Sequence, residues 1–91
     1  MFIRRKRNYY YLVDSHREDG KVKQRHLAYL GHHPDIGDAL MAHAHAAKYW
    51  AGQEGEKAKA KWRYHKDQAA KLRRLFERWL EEALRGETLD V

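Results

Sequence analysis

Residues 2–31, FIRRKRNYYYLVDSHREDGKVKQRHLAYLG, decide how the rest of the 91-residue chain is read. Three runs rich in β-branched, aromatic and basic residues are separated by turn chemistry, the pattern of short strands in a meander. Arg7-Asn8 marks the first reversal, because Asn tolerates positive φ, and Asp19-Gly20 marks the second, a strong type I′ hairpin signal. The pattern predicts three antiparallel strands over about 2–6, 9–17 and 22–30.

Two-residue turns fix a register with Lys6 opposite Tyr9 and Glu18 opposite Lys21. One side then carries the rows Ile3, Leu12, Leu27 and Arg5, Tyr10, Tyr29, with Asp14 opposite Arg25 at the margin. A continuous aliphatic row edged by a charge pair has the character of a core-facing surface. The other side carries Lys6, Tyr9, Leu30, then Arg4, Tyr11, Ala28, then Phe2, Val13, His26, then Ser15 with Gln24 and Arg17 with Val22. Such a sheet fits a DNA major groove, where Arg, Gln and His meet base edges and Lys meets phosphate. The reverse assignment stays open, since Phe2, Tyr9, Tyr11, Val13, Ala28 and Leu30 can also make a core. A change of one residue in either turn inverts the sheet.

Ninety-one residues make one small domain with a modest core. Without cysteine there is no disulfide framework, thiolate metal site or cysteine nucleophile, which suits a reducing compartment. No apolar run reaches the roughly 18 residues of a bilayer span, and no signal-peptide core opens the chain. A soluble, cytoplasmic protein without membrane association is expected. The formal charge of +6 is unevenly spread: +5 over residues 1–31, −1 over 32–52, +5 over 53–75 and −3 over 76–91. Two basic blocks point to a polyanion, with nucleic acid the first candidate.

After Gly31, His32-His33-Pro34-Asp35 reads as a breaker followed by a helix start, with Pro34 suited to the first turn and Asp35 and Asp38 near the positive end of the dipole. A helix over about 35–51 carries Ile36, Ala39, Leu40, His43, Ala47 and Trp50 at steps of three and four. Gly52 closes it and Gly55 marks the next break. From Glu56 to about Arg85 the positions Ala58, Trp62, His65, Ala69, Leu72, Phe76, Trp79 and Ala83 alternate steps of four and three, a heptad stripe widened by Leu75, Leu80 and Leu84. Thirty residues of helix extend about 45 Å, more than the first helix or the sheet can cover. Self-association is therefore expected, a homodimer anchored by Trp62, Leu72, Phe76 and Trp79. Those aromatic residues, with Trp50, read as core or interface anchors, and Tyr9 and Tyr11 as the better stacking candidates. The basic residues Lys57, Lys59, Lys61, Arg63, Lys66, Lys71, Arg73 and Arg74 either follow a nucleic-acid backbone or form a solvated helix face. Gly86 suits a C-cap, with 87–91 as a loose tail. The fold class expected is α+β: a three-stranded antiparallel sheet module over 1–31 and a helical hairpin over 32–91, together one structural domain.

The string YYYLVDSHREDGKVKQRHLAYLG, followed by HHPDIGDAL, resembles the N-terminal segment of insertion-sequence DDE transposases over residues 2–40. The positions that match are Tyr10, Tyr11, Leu12, Val13, Arg17, Gly20, Lys21, Val22, Gln24, Arg25, Leu27, Tyr29, Leu30 and Gly31. The resemblance implies a small DNA-associated sheet module, similar in design to the three-stranded arm-binding domains of tyrosine recombinases. Asp14 stands where that family has Glu, and His16 and His26 also depart from its pattern. The resemblance further implies that a catalytic domain would begin where this sequence ends, and no long region supplies three spaced carboxylates for metal-assisted strand transfer.

Seven histidines raise a metal hypothesis, which the spacing weakens: His43 and His45 are two apart and diverge by about 200° on a helix. His32 or His33 could join one of them only as a low-grade site. No acid–base carboxylate pair, Ser/His/Asp order or phosphate loop is present. The expectation is a chain with no catalytic residue, metal or cofactor, not an enzyme. The function expected is binding of double-stranded DNA, accessory or regulatory. Arg4, Lys6, Arg17, Gln24 and His26 are expected in direct contact, Tyr9 and Tyr11 beside them, and Arg5, Arg7, Lys21, Lys23 and Arg25 near phosphates. RNA shares every charge argument. The alternative is an adaptor or inhibitor that grips another protein through the helical hairpin.

Overall fold

The computed structural model of the chain describes residues 1–86. Both strand reversals are two-residue turns, because Lys6 pairs with Tyr9 and Glu18 with Lys21. At the second turn Asp19 (φ 54°) and Gly20 (φ 76°) are both left-handed, as a type I′ turn demands. At the first turn Arg7 takes the positive φ of 58°, and not the Asn8 that the sequence suggested. The strands are β1 (Phe2–Lys6), β2 (Tyr9–Glu18) and β3 (Lys21–Gly31), antiparallel in the order β1-β2-β3. β1 has the expected bounds, β2 ends one residue later than expected, and β3 starts one residue earlier and ends one residue later.

The expected register holds between β1 and β2, where Ile3 faces Leu12 and Arg4 faces Tyr11. It also holds along the outer part of the second hairpin, from Glu18–Lys21 to Val13–His26. It then shifts twice: Leu12 faces Ala28, Tyr11 faces Tyr29 and Tyr10 faces Gly31, leaving Leu27 and Leu30 as the extra residues on β3. An extra residue exchanges the faces of everything beyond it. The expected row Ile3, Leu12, Leu27 is therefore Ile3, Leu12, Ala28, and the expected pair Tyr10–Tyr29 is replaced by Tyr11–Tyr29. Ala28 and Leu30, expected on the basic side, are 6% and 2% exposed, while Tyr29, expected on the aliphatic side, is 50% exposed. The shifts bury Ala28 and Leu30 of the LAYL run and turn its one hydroxyl-bearing ring outward, which costs no buried polar group.

The chain divides into two compact units, the first Met1–Ala39 and the second starting at Leu40. The buried apolar residues of the first are Leu12, Val13, Ala28, Leu30, Ile36 and Ala39. Each large side chain among them contributes roughly 1.5–3 kcal/mol by leaving water. From Ser15 to His26, by contrast, every residue is exposed. β1 reaches only as far as the Phe2–Val13 pair, so beyond it β2 and β3 continue as a two-stranded ribbon open on both sides.

The first helix, α1, is Ile36–Ala51, starting one residue later than expected. Asp35 is its N-cap: the Gly37 and Asp38 N–H groups donate to Asp35 Oδ1 at 2.6 and 3.3 Å. Pro34 thus precedes the cap and does not occupy the first turn. The second helix, α2, is Glu56–Arg85, and Gly86 (φ 77°) caps it with its N–H directed to the Ala83 and Glu82 carbonyls. The expected heptad stripe is its covered line: Ala58 and Leu72 are buried, and Trp62, His65, Ala69, Phe76, Trp79 and Ala83 half-buried. The tail expected over 87–91 lies outside the described residues.

Candidate nucleic-acid interface

Alternation along the strands, corrected for the bulges, puts Arg4, Lys6, Tyr9, Tyr11, Ser15, Arg17, Val22, Gln24, His26 and Tyr29 on one side of the sheet. Its rings form a continuous row. Tyr9 lies 4.8 Å from His32 and 5.9 Å from Tyr29, and Tyr11 lies 5.2 Å from both Tyr29 and His26, between ring centroids. All four contacts are tilted, with interplanar angles of 34–48°, within the favourable range for aromatic pairs. His32 is held at the end of the row by its Nδ1–H, which donates to the Asn8 carbonyl at 3.0 Å. Alternation along the sequence put Tyr29 on the opposite side and placed His32 on neither. Tyr29 arrives there through a bulge, and His32 through the left-handed turn at Gly31 (φ 66°), neither of which alternation predicts.

Arg4 and Gln24 meet directly, Arg4 Nη1 donating to Gln24 Oε1 at 2.7 Å. Arg4 pairs with Tyr11 and Gln24 with Ser15, so the bond crosses β2 above the intervening Val13. That position explains how Val13 is 0% exposed on the otherwise open side of the sheet. Leu12, on the other side, is also 0% exposed, with Ile3 and Leu27 half-buried. Arg4, Gln24 and His26 all remain exposed.

The remaining cations are exposed and differ in their engagement. Lys23 Nζ lies 3.4 Å from Glu18, Arg25 lies 4.0 Å from Asp14, and Arg5 Nε donates to the Arg7 carbonyl at 2.8 Å. Among the described residues no acid lies within ion-pair distance of Lys6, Arg7, Arg17 or Lys21. Lys6 and Arg7 also line, with Tyr9 and Tyr11, an open hollow of about 340 Å³. The structure thus gathers Arg4, Lys6, Arg7, Tyr9, Tyr11, Gln24 and His26 on or beside one surface and carries Arg17 and Lys21 toward the tip of the ribbon. Arg5, Lys23 and Arg25 alternate to the opposite side.

In the second unit the four anchors expected at an interface fall on the covered line of α2. Leu72 is 1% exposed, and Phe76 and Trp79 stack at 6.1 Å with 13° between planes. Several helix cations are engaged within the chain: Lys61 lies over Trp50 at 4.6 Å and Lys66 over Trp62 at 4.8 Å. His43 and His65 approach through their Nδ1 atoms at 2.9 Å, so one ring donates and the other accepts. Among the described residues no three of His, Asp and Glu converge as a metal site, and no helix is long and apolar enough to cross a membrane.

No curated protein and no solved structure matches the chain. A family model does, over residues 3–61, and its description is the N-terminal domain of the IS1634 family transposase. The match begins in β1 at Ile3, takes in the rest of the sheet, α1 and the start of α2, and extends well past the stretch on which the sequence resemblance rested. The aromatic row and the Arg4–Gln24 bond lie inside it, and on this match, which covers well over half of its length, the chain belongs to the family of IS1634 transposase N-terminal domains.

Proposed function

We propose that this chain binds double-stranded DNA through the β2–β3 ribbon and the adjoining tyrosine-bearing side of the sheet, as the non-catalytic DNA-contacting part of transposition. The observation that carries this reading is the ribbon from Ser15 to His26, exposed on both sides. Strands that protrude in this way bury no apolar surface of their own, and a two-stranded ribbon is one of the two elements that a major groove of about 12 Å admits. Its exposed Gln24 and His26 are base-reading residue types, and Lys6, Arg7, Arg17 and Lys21 supply phosphate contacts without breaking an internal ion pair. Fluorescence anisotropy of a labelled duplex over a salt series tests the proposal: affinity that falls steeply with salt supports it. Affinity absent at low salt, or indifferent to salt, refutes it. An excess of duplex RNA that displaces the DNA without loss would move the assignment to RNA.

Self-association through α2 is the second element of the proposal. Leu72 is already covered within one chain, so α2 offers a second copy Phe76, Trp79, Leu80 (38% exposed) and Leu84 (85% exposed). Sedimentation equilibrium of the chain and of Leu84→Glu tests it, with a wild-type monomer as the refuting result.

A further inference from the structure

We infer that Arg4 and Gln24 act as a single reading unit that selects guanine over adenine in the major groove. The inference rests on the DNA-binding reading above and names what that surface distinguishes.

A glutamine free to present both ends of its amide pairs with adenine, its oxygen accepting from N6 and its nitrogen donating to N7. Gln24 is not free in this way, because its Oε1 already accepts from Arg4 Nη1 at 2.7 Å. An adenine amino group approaching that oxygen would meet a guanidinium cation beside it. What the pair presents outward is instead mostly donors: the remaining N–H groups of Arg4 and the amide NH₂ of Gln24. Guanine offers two adjacent acceptors, O6 and N7, and no donor on its major-groove edge, so it satisfies two of those donors at once, whereas adenine presents a donor of its own.

The bond also limits what binding costs. An exposed arginine has many rotamers to lose on contact, and tethering the fork beforehand reduces that loss. Here the tether crosses β2 above Val13, which is 0% exposed and packed in place, so the guanidinium is held over a rigid point of the sheet. Gln24 is accordingly a positioning and specificity residue for Arg4.

The test is selection of duplexes from a randomised pool, followed by affinities for matched duplexes carrying guanine or adenine at the selected position. The readout is the ratio of the two affinities, not either one alone. Wild type is expected to favour guanine by about tenfold, within the range of a bidentate arginine contact. Gln24→Leu, which removes the acceptor at an exposed position, is expected to reduce that ratio severalfold. Gln24→Glu retains an acceptor for Nη1 and is expected to preserve it, and Arg4→Lys, which lacks the planar fork, is expected to abolish it. A pool without guanine enrichment, or Gln24→Leu discriminating as well as wild type, overturns the inference, and salt-dependent affinity in the same assay leaves DNA binding standing. Loss of all duplex affinity at low salt overturns both.

Discussion

Neutralising Lys6 and Arg17 gives a quantitative test of which cations meet DNA. Lys6, Arg7, Arg17 and Lys21 are exposed and, among the described residues, lack an ion-pair partner, so each can take a phosphate at no internal cost. Four phosphate contacts give a slope of log affinity against log salt of about −3.6, at about 0.9 per contact. Raising salt from about 50 to about 200 mM then weakens wild type about 150-fold. Lys6→Ala or Arg17→Ala removes one contact, which brings the slope to about −2.7 and the loss to about 40-fold. The double variant reaches a slope of about −1.8 and a loss of about 12-fold. Both side chains are exposed, so stability should move by no more than about 0.5 kcal/mol, and melting curves verify this. Lys71→Ala on α2 is the control, expected to leave the slope where it was. Anisotropy titrations at four salt concentrations measure all five proteins. Equal slope changes for Lys71→Ala and Lys6→Ala would refute the placement of the interface on the sheet, as would unchanged slopes in both sheet variants.

The bulged register has its own test in a double-mutant cycle: Tyr29→Ala with Tyr11→Ala should show a coupling of about 0.5–1.5 kcal/mol in denaturant unfolding, and Tyr29→Ala with Tyr10→Ala close to none. An unbulged sheet would give the opposite result. Leu12→Ala empties a position that is 0% exposed and should cost about 2–5 kcal/mol, a large share of the stability of so small a unit, read as a fall in the urea midpoint. Gly20→Val forces a β-branched residue to φ 76°, at a cost of about 1–2 kcal/mol. Because every residue of the ribbon is exposed, that loss should appear as faster amide exchange over residues 15–26 and weaker DNA binding, while the amides of Leu12 and Leu30 keep their protection.

Local chemistry alone determined the elements of this protein. Asp19-Gly20 tolerates the two positive φ angles that a type I′ turn demands and most other pairs resist, so the second hairpin and its first pairs follow from two residues. The four-three spacing from Ala58 to Ala83 has no other economical reading than one long helix, and its line is the covered one. The motif from YYYLV to YLG was enough to identify a transposase N-terminal segment. Tertiary structure decided which side chains share a face near the end of β3. Alternation carries information only while the register is constant, and the two extra residues at Leu27 and Leu30 are set by the gain from burying Ala28 and Leu30 beside Leu12, a nonlocal term invisible within the strand. Tyr29 therefore joins Tyr9 and Tyr11, His32 follows at the end of the row, and Arg4 reaches Gln24 across a strand, contacts between residues that only the closed sheet brings together.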